Sequence, residues 1–337
     1  MAEHRCKVLV IGGGPGGYVA GIRAGQLGLD TILVEAARVG GTCLNVGCIP
    51  SKAIIHVAEQ FEAAHRFTGE NALGISVSSP KLYLPTAMQW KDGVVGKLTG
   101  GVAGLLRKAK VRVIEGTATF KDGKTVQVAK SDGESDTITA EHVIIATGSE
   151  SVELPFLPFG RDVISSTGAL ALELVPEKLC VVGGGYIGLE LGIAYSKMGS
   201  AVTIVEMADR VLPLYDAELT GPLTKRLDEL GITVLTGAKV TGARDGSVEV
   251  VDASGANRQI VADKVLVTVG RRPFTKGLGL ENLALDMDRA FIKIDDRCRT
   301  SMRGIYAIGD VTGEPMLAHR AMAQGELVVN VIAGQND

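Results

Sequence analysis

The chain has 337 residues, enough for two domains with full cores, and its net charge of -3 argues against nucleic acid or an anionic membrane surface as partner. Its 46% hydrophobic and 22% charged residues describe an ordinary globular protein, with no apolar run long enough for a transmembrane helix. The 44 glycines are unusual and suit an α/β protein whose backbone approaches phosphates.

Lys7 to Ile11 reads as a buried strand. The chain enters it directly, so the N-terminus does not read as a secretory signal and a cytoplasmic location is expected. Gly12-Gly13-Gly14-Pro15-Gly16-Gly17 follows, then a helix from Tyr18 to Leu27 and a strand from Thr31 to Val34 that ends at Glu35. This is a G-x-G-x-x-G fingerprint on Gly12, Gly14 and Gly17, with an acid 21 positions after the second glycine. The glycines permit the turn and let a pyrophosphate approach the helix N-terminus, and Glu35 can accept from a ribose hydroxyl.

Two helices are expected next, Ile54 to Phe67 and Thr86 to Lys108, then a strand at Val111 to Ile114. Thr117 to Lys130 reads as a hairpin turning at Asp122-Gly123, and Glu141 to Ala146 as a strand ending in Thr147-Gly148. The pattern then starts again. Leu179 to Val182 is a strand, Gly183-Gly184-Gly185-Tyr186-Ile187-Gly188 a second fingerprint, and Thr203 to Val205 a strand ending at Glu206. A helix from about Glu218 to Leu230 follows, then turns including Asp245-Gly246, and a strand from Lys264 to Val269 that ends in Gly270-Arg271-Arg272-Pro273. A last strand delivers Asp310 ahead of a helix from Leu317 to Ala333.

This is an internal repeat. The fingerprints lie 171 residues apart but the closing glycines, Gly148 and Gly270, only 122, so the first copy carries 49 extra residues. The surplus contains Gly40-Gly41-Thr42-Cys43-Leu44-Asn45-Val46-Gly47-Cys48-Ile49-Pro50-Ser51-Lys52. The cysteine spacing fits neither a zinc knuckle nor a thioredoxin-type pair. Five helical residues rise about 7.5 Å, beyond the reach of a disulfide, so a bridging pair requires a turn or a distorted helix start. Gly47 supplies the freedom for that, with a regular helix from about Ile49. We read the pair as a redox disulfide; a structural disulfide or two core thiols would leave its glycine-rich setting unexplained. Cys6, Cys180 and Cys298 read as buried or incidental thiols. Two dinucleotides beside a cysteine pair point to FAD in the first unit, NAD(H) in the second, and a disulfide between FAD and substrate.

Residues 40 to 52, both fingerprints, Ala146-Thr147-Gly148 and Gly304 to Val311 resemble the pyridine nucleotide-disulfide oxidoreductases over nearly the whole chain. The resemblance implies an α/β fold of two Rossmann-like domains, with the NAD domain (151–275) inserted between the two parts of the FAD domain (1–150 and 276–337). Within the family the chain is similar to members that oxidise protein-bound dihydrolipoamide, as a shared component of 2-oxo acid dehydrogenase complexes, and resembles the form that serves a branched-chain complex. It implies that Cys43, the more accessible thiol, meets the substrate while Cys48 faces the flavin, with Lys52 paired to Glu190. It assigns Gly41, Thr42, Lys52, Gly116, Ala118, Thr147, Gly148, Asp310, Leu317, Ala318 and His319 to FAD beside the first fingerprint and Glu35. It assigns Gly183, Gly185, Tyr186, Ile187, Gly188, Glu206, Val240 and Gly270 to NAD. NAD is favoured over NADP because Glu206 would repel a 2′-phosphate and no arginine follows before Arg210. The implied partners are a lipoyl domain and a second subunit; no metal is implied. Other flavin disulfide reductases and a redox-sensing flavoprotein module are the alternatives.

One family feature is missing. In the family a His-x-x-x-x-Glu pair that serves as base toward the substrate thiol lies in a further domain after the last helix; five positions after His319, the last of the five histidines, stands Gln324. The expectation is a piece without the base and dimer domain, poorly active with lipoamide. Steady-state NAD reduction by dihydrolipoamide checks it: a rate similar to that of a full-length family member overturns it.

Overall fold

The computed structural model describes residues 2–244 and 246–335; Asp245, of the expected Asp245-Gly246 turn, lies outside them. Apolar runs bounded by glycine become buried parallel strands, and the chain gathers into two units. The first comprises Met1–Asn45, Val95–Glu150 and Arg271–Asp337; the second comprises Val46–Val94 and Ser151–Gly270.

In the first unit the parallel strands Arg112–Glu115, Thr31–Glu35, Glu3–Ile11 and Ser135–Ile145 lie side by side in that order. Val8, Leu9 and Val10 are fully buried, as expected for a strand covered on both faces. Ser135–Ile145 pairs first with the antiparallel hairpin Thr117–Phe120 and Thr125–Ala129, then with parallel Ile305–Ala307. The hairpin turns where expected, with Asp122 Oδ1 accepting from the Lys124 and Thr125 amides at 2.8 Å. The helices Pro15–Gln26 and Ala318–Ile332 cross through glycine: a Cβ at Gly325 would lie 2.5 Å from the Gly16 carbonyl oxygen.

The second unit repeats the frame. Thr233–Leu235, Ala201–Val205, Lys178–Val182, Lys264–Val267 and Val163–Ile164 form a parallel sheet in that order. Its first four strands correspond to the four of the first unit, so the repeat seen in the glycines is a repeat of topology. An antiparallel sheet, Lys239–Arg244, Ser247–Val251 and Asn257–Val261, stands where the first unit has its hairpin. The helix Cys48–Arg66 packs on Tyr186–Lys197. Glu62 pins it there, accepting from Lys197 at 3.1 Å and from Arg226 of the helix Ala217–Glu229. The next helix, Leu84–Lys108, starts two residues before its expected position, because Pro85 in its first turn has no amide to leave unpaired.

One buried charge ties the start of the chain to the first sheet. Asp136 accepts from Lys130 Nζ at 2.6 Å, His4 Nε2 at 3.1 Å and the Ala2 amide at 3.1 Å. The hydrogen bond from Lys130, followed by those from His4 and Ala2, holds its carboxyl at about 2 against the opposing effect of burial. A carboxyl lowered on folding stabilises the fold above its unfolded value, about 3.9, and loses that contribution as pH falls through the folded value. Asp136→Asn is expected to flatten the fall of the urea midpoint between about pH 4 and pH 2 relative to wild type. Parallel curves would remove Asp136 from the acid response.

Candidate functional site

The first glycine loop is built from close backbone approaches. Gly12 has φ 103°, and a Cβ there would lie 2.3 Å from the Ala146 carbonyl oxygen. A Cβ at Gly17 would lie 1.8 Å from the carbonyl oxygen of Gly12. Gly14 instead faces open space, with only Gly41 Cα within 4 Å. The helix Pro15–Gln26 starts at this point with Pro15 in its first turn. Glu35 closes the cradle, its carboxylate accepting from the Gly13 amide at 2.6 Å and the Ala37 amide at 2.8 Å.

The second loop reproduces this arrangement. Gly183 has φ 104°, and a Cβ at Gly188 would lie 2.4 Å from the Gly183 carbonyl oxygen, while nothing lies within 4 Å of one at Gly185. Glu206 accepts from the Gly184 amide at 2.6 Å and the Ala208 amide at 2.7 Å. Tyr186, exposed, and Ile187, half-buried, open the helix Tyr186–Lys197. Arg210 is turned onto the carbonyls of Pro213 and Tyr215 at 3.0 and 2.9 Å.

The cysteine stretch leans on the first loop. Gly40 donates its amide to Gly13 O at 2.8 Å, and a Cβ at Gly41, φ 56°, would lie 2.5 Å from Gly14 Cα. Gly41 and the exposed Thr42 open a short helix, Gly41–Val46, that carries Cys43. Asn45 Nδ2 secures it to the carbonyls of Gly41 and Val39 at 3.0 and 3.2 Å. At Gly47 (φ -140°, ψ -110°) the helix breaks, and Cys48 opens the 19-residue helix Cys48–Arg66. The cysteines therefore stand on two successive helices and not on one regular helix.

Their expected order of exposure is reversed: Cys43 is half-buried and Cys48 exposed. Side chains on a helix lean toward its N-terminus, so one at the first position has no preceding turn to cover it. The amide dipoles of that terminus favour negative charge at this place, which suits a thiolate.

Lys52, one turn into the same helix, donates to both carboxylate oxygens of Glu190 at 2.8 and 2.7 Å. Their side chains are 59% and 36% exposed, so the pair adds at most about 1 kcal/mol to stability and is better read as positioning Lys52.

Asp310 sits in a tight turn, Gly309–Thr312, after the strand Ile305–Ala307. Ser149 Oγ donates to Asp310 Oδ2 at 2.6 Å, and Arg271 Nε donates to Ser149 Oγ at 2.8 Å. Gln324 Oε1 accepts the Gly309 amide at 2.8 Å. Thr147 Oγ1 donates to the Phe274 carbonyl at 2.7 Å, and Gly148 O accepts the Phe274 amide at 2.9 Å. Ser149, Arg271 and Gln324 escaped the sequence reading. The signal that could have found two of them is the repeat itself: Ser149 and Arg271 each follow a closing glycine, Gly148 and Gly270.

Gly116, φ 156°, donates its amide to Glu35 O at 2.9 Å. The side chains of Ala118 and Val240 are buried in the cores of their own sheets. Exposed Leu317 and His319 flank half-buried Ala318 at the start of the helix Ala318–Ile332.

The family model described as pyridine nucleotide-disulphide oxidoreductase matches residues 6–325. The chain belongs to the pyridine nucleotide-disulphide oxidoreductase family. It is 54% identical to a dihydrolipoyl dehydrogenase of Pseudomonas aeruginosa, over 98% of this chain and 71% of that one. A dihydrolipoyl dehydrogenase of Geobacillus stearothermophilus is 46% identical, over 97% and 70%. Among solved structures of the family, LpdA from Mycobacterium tuberculosis aligns with TM-score 0.89 and 27% identity, over 99% of this chain and 73% of that one. The HOCl-induced flavoprotein disulfide reductase RclA from Escherichia coli aligns with TM-score 0.84 and 28% identity, over 98% and 72%. FAD and NAD are the cofactors of this family of oxidoreductases. The two cradles fit such ligands: each leaves its second glycine open to a pyrophosphate and places a carboxylate at the loop. Among the described residues, no helix is long and apolar enough to cross a membrane, and no group of three His, Cys, Asp or Glu could hold a metal ion.

Within this oxidoreductase the five cysteines separate by environment. Burial pushes the Cys6 and Cys298 thiols to about 11 and Cys180 to about 12. On the reduced native protein at pH 8, iodoacetamide is therefore expected to modify Cys43 and Cys48 within minutes and the other three only after denaturation, as read by peptide mass mapping. Rapid native labelling of Cys180 would contradict the packing described. The glycines give a second contrast. Gly185→Ala should leave the melting temperature within about 2 °C of wild type while weakening NADH binding at least about tenfold. Gly188→Ala should lower the melting temperature, because its methyl meets backbone.

Proposed function

We propose that the chain works as a dihydrolipoyl dehydrogenase, with Cys43 and Cys48 as its redox disulfide. The observation that carries this reading is the matched pair of cradles, Glu35 on the Gly13 amide and Glu206 on the Gly184 amide, both at 2.6 Å, with the cysteine stretch leaning on the first. Gly12, Gly14, Gly17 and Glu35 hold the FAD pyrophosphate and ribose, and Asp310 its ribityl chain. Gly183, Gly185, Gly188 and Glu206 hold NAD. Bound FAD supplies a carrier able to exchange two electrons with thiols on one side and a nicotinamide on the other.

The protein's own chemistry is thiol–disulfide exchange. One substrate thiolate attacks Cys43 Sγ, and the Cys43–Cys48 bond breaks with its electron pair left on Cys48. The second substrate thiol then displaces Cys43, so that dihydrolipoamide leaves as its disulfide and two reduced cysteines remain. Reoxidation of the cysteine pair delivers a hydride equivalent to NAD and releases a proton. Glu190 holds Lys52 one turn beyond Cys48, where its ammonium favours the thiolate form.

The preference for NAD rests on two features. Glu206 offers negative charge where a 2′-phosphate would lie, and Arg210 is committed to the carbonyls of Pro213 and Tyr215. The partner is a lipoyl domain of a 2-oxo acid dehydrogenase complex, with a second subunit completing a homodimer. The location is the cytoplasm, where a persistent disulfide is more often catalytic than structural. Anaerobic addition of NADH to the FAD-loaded protein should raise a long-wavelength absorbance band that equimolar NADPH does not. Cys48→Ala should abolish the band; its survival in that variant would overturn the role given to Cys48.

A further inference from the structure

The surroundings of Asp310 assign a role to a residue outside both cradles. A serine hydroxyl has one proton to donate and two lone pairs to accept with. Arg271 takes up one side of Ser149, with Nε donating to its Oγ at 2.8 Å and Nη2 to its carbonyl oxygen at 2.7 Å. A guanidinium has no acceptor, so the Ser149 proton must turn away from it. It turns to Asp310 Oδ2, 2.6 Å away. The series Arg271, Ser149, Asp310 therefore has a fixed direction, and a carboxylate stands at its end.

The turn that carries the carboxylate is held from other sides as well. Gln324 takes the Gly309 amide at 2.8 Å, while Arg320 donates to Gly313 O at 2.6 Å and Thr312 Oγ1 at 2.9 Å. Oδ2 is engaged by Ser149, and among the described residues no hydrogen bond reaches Oδ1. An ionised carboxylate with one oxygen engaged and the other open can only accept. It matches a neutral hydroxyl and repels a phosphate.

We infer that Arg271 is a positioning residue for the flavin: through Ser149 it holds Asp310 with Oδ1 presented to a ribityl hydroxyl. The inference rests on the proposed role of Asp310 in holding FAD. Arg271 opens the segment Arg271–Pro273 directly after the closing glycine Gly270, as Ser149 follows Gly148.

The test is the affinity of the apoprotein for FAD and for FAD analogues deoxygenated at one ribityl position at a time, read by flavin fluorescence. Apoprotein melting temperatures report folding separately. Arg271→Met and Ser149→Ala should each weaken FAD binding about tenfold, the double variant should be no weaker than either, and Ser149→Thr should stay within about twofold of wild type. One analogue should bind wild type about tenfold more weakly than FAD does, yet bind Arg271→Met as FAD does. Additive losses in the double variant, or an undiminished analogue penalty in Arg271→Met, overturn the relay. Should Arg271→Met fail to fold, the same analogue comparison on Ser149→Ala decides. Asp310→Ala separates the two readings. If it binds FAD as wild type does, the ribityl role of Asp310 falls and the relay with it. If it loses affinity while Arg271→Met and Ser149→Ala do not, only the inference about Arg271 falls.

Discussion

A Cβ at residue 17 would stand 1.8 Å from a backbone oxygen. That contact is the constraint on which the first unit depends. It lets the helix Pro15–Gln26 start directly beneath the loop after the strand Glu3–Ile11. The first amides of that helix have no intrahelical partner, and such amides suit an anion. Glu35 supplies one to Gly13, and a ligand phosphate can supply the others. The second unit meets the same constraint at Gly188 and the same carboxylate at Glu206. Two loops answering one steric problem alike, at the same spacing, are better explained by duplication than by coincidence.

The duplication was readable because its signals are local. Glycines, a carboxylate and two apolar strands fall within about 25 residues, and each is demanded by backbone geometry whatever surrounds it. The hairpin turn at Asp122 and the break at Gly47 were readable for the same reason. The ring of contacts around Asp310 was not. Ser149, Arg271 and Gln324 come from three separate segments, and their hydrogen bonds depend on tertiary placement that no periodicity encodes. Asn45 is an intermediate case: it lies inside the cysteine stretch, yet its bonds to the carbonyls of Val39 and Gly41 show only once the short helix exists.

The order of exposure at the cysteines failed for a further reason. It was carried over from a family in which a flavin lies against one thiol, while accessibility on the protein alone follows helix position. Cys48 begins a helix and Cys43 lies within one. Reactivity does not follow from exposure alone. The amide dipoles at the start of a 19-residue helix favour negative charge where Cys48 stands.

The remaining cysteines show what that position avoids. Cys180 lies in the middle of the second parallel sheet, where burial holds its thiol near 12, and Cys6 and Cys298 are held near 11. At neutral pH that holds Cys180 as the neutral thiol, which leaves it inert as a nucleophile. A reactive pair therefore cannot be built into the sheets of this fold without losing the anion it needs. Added chain that ends in a helix start avoids that loss. The 49-residue surplus of the first copy is such added chain: Gly40 and Gly41 press its start against Gly13 and Gly14, and the break at Gly47 turns the chain into a fresh helix terminus.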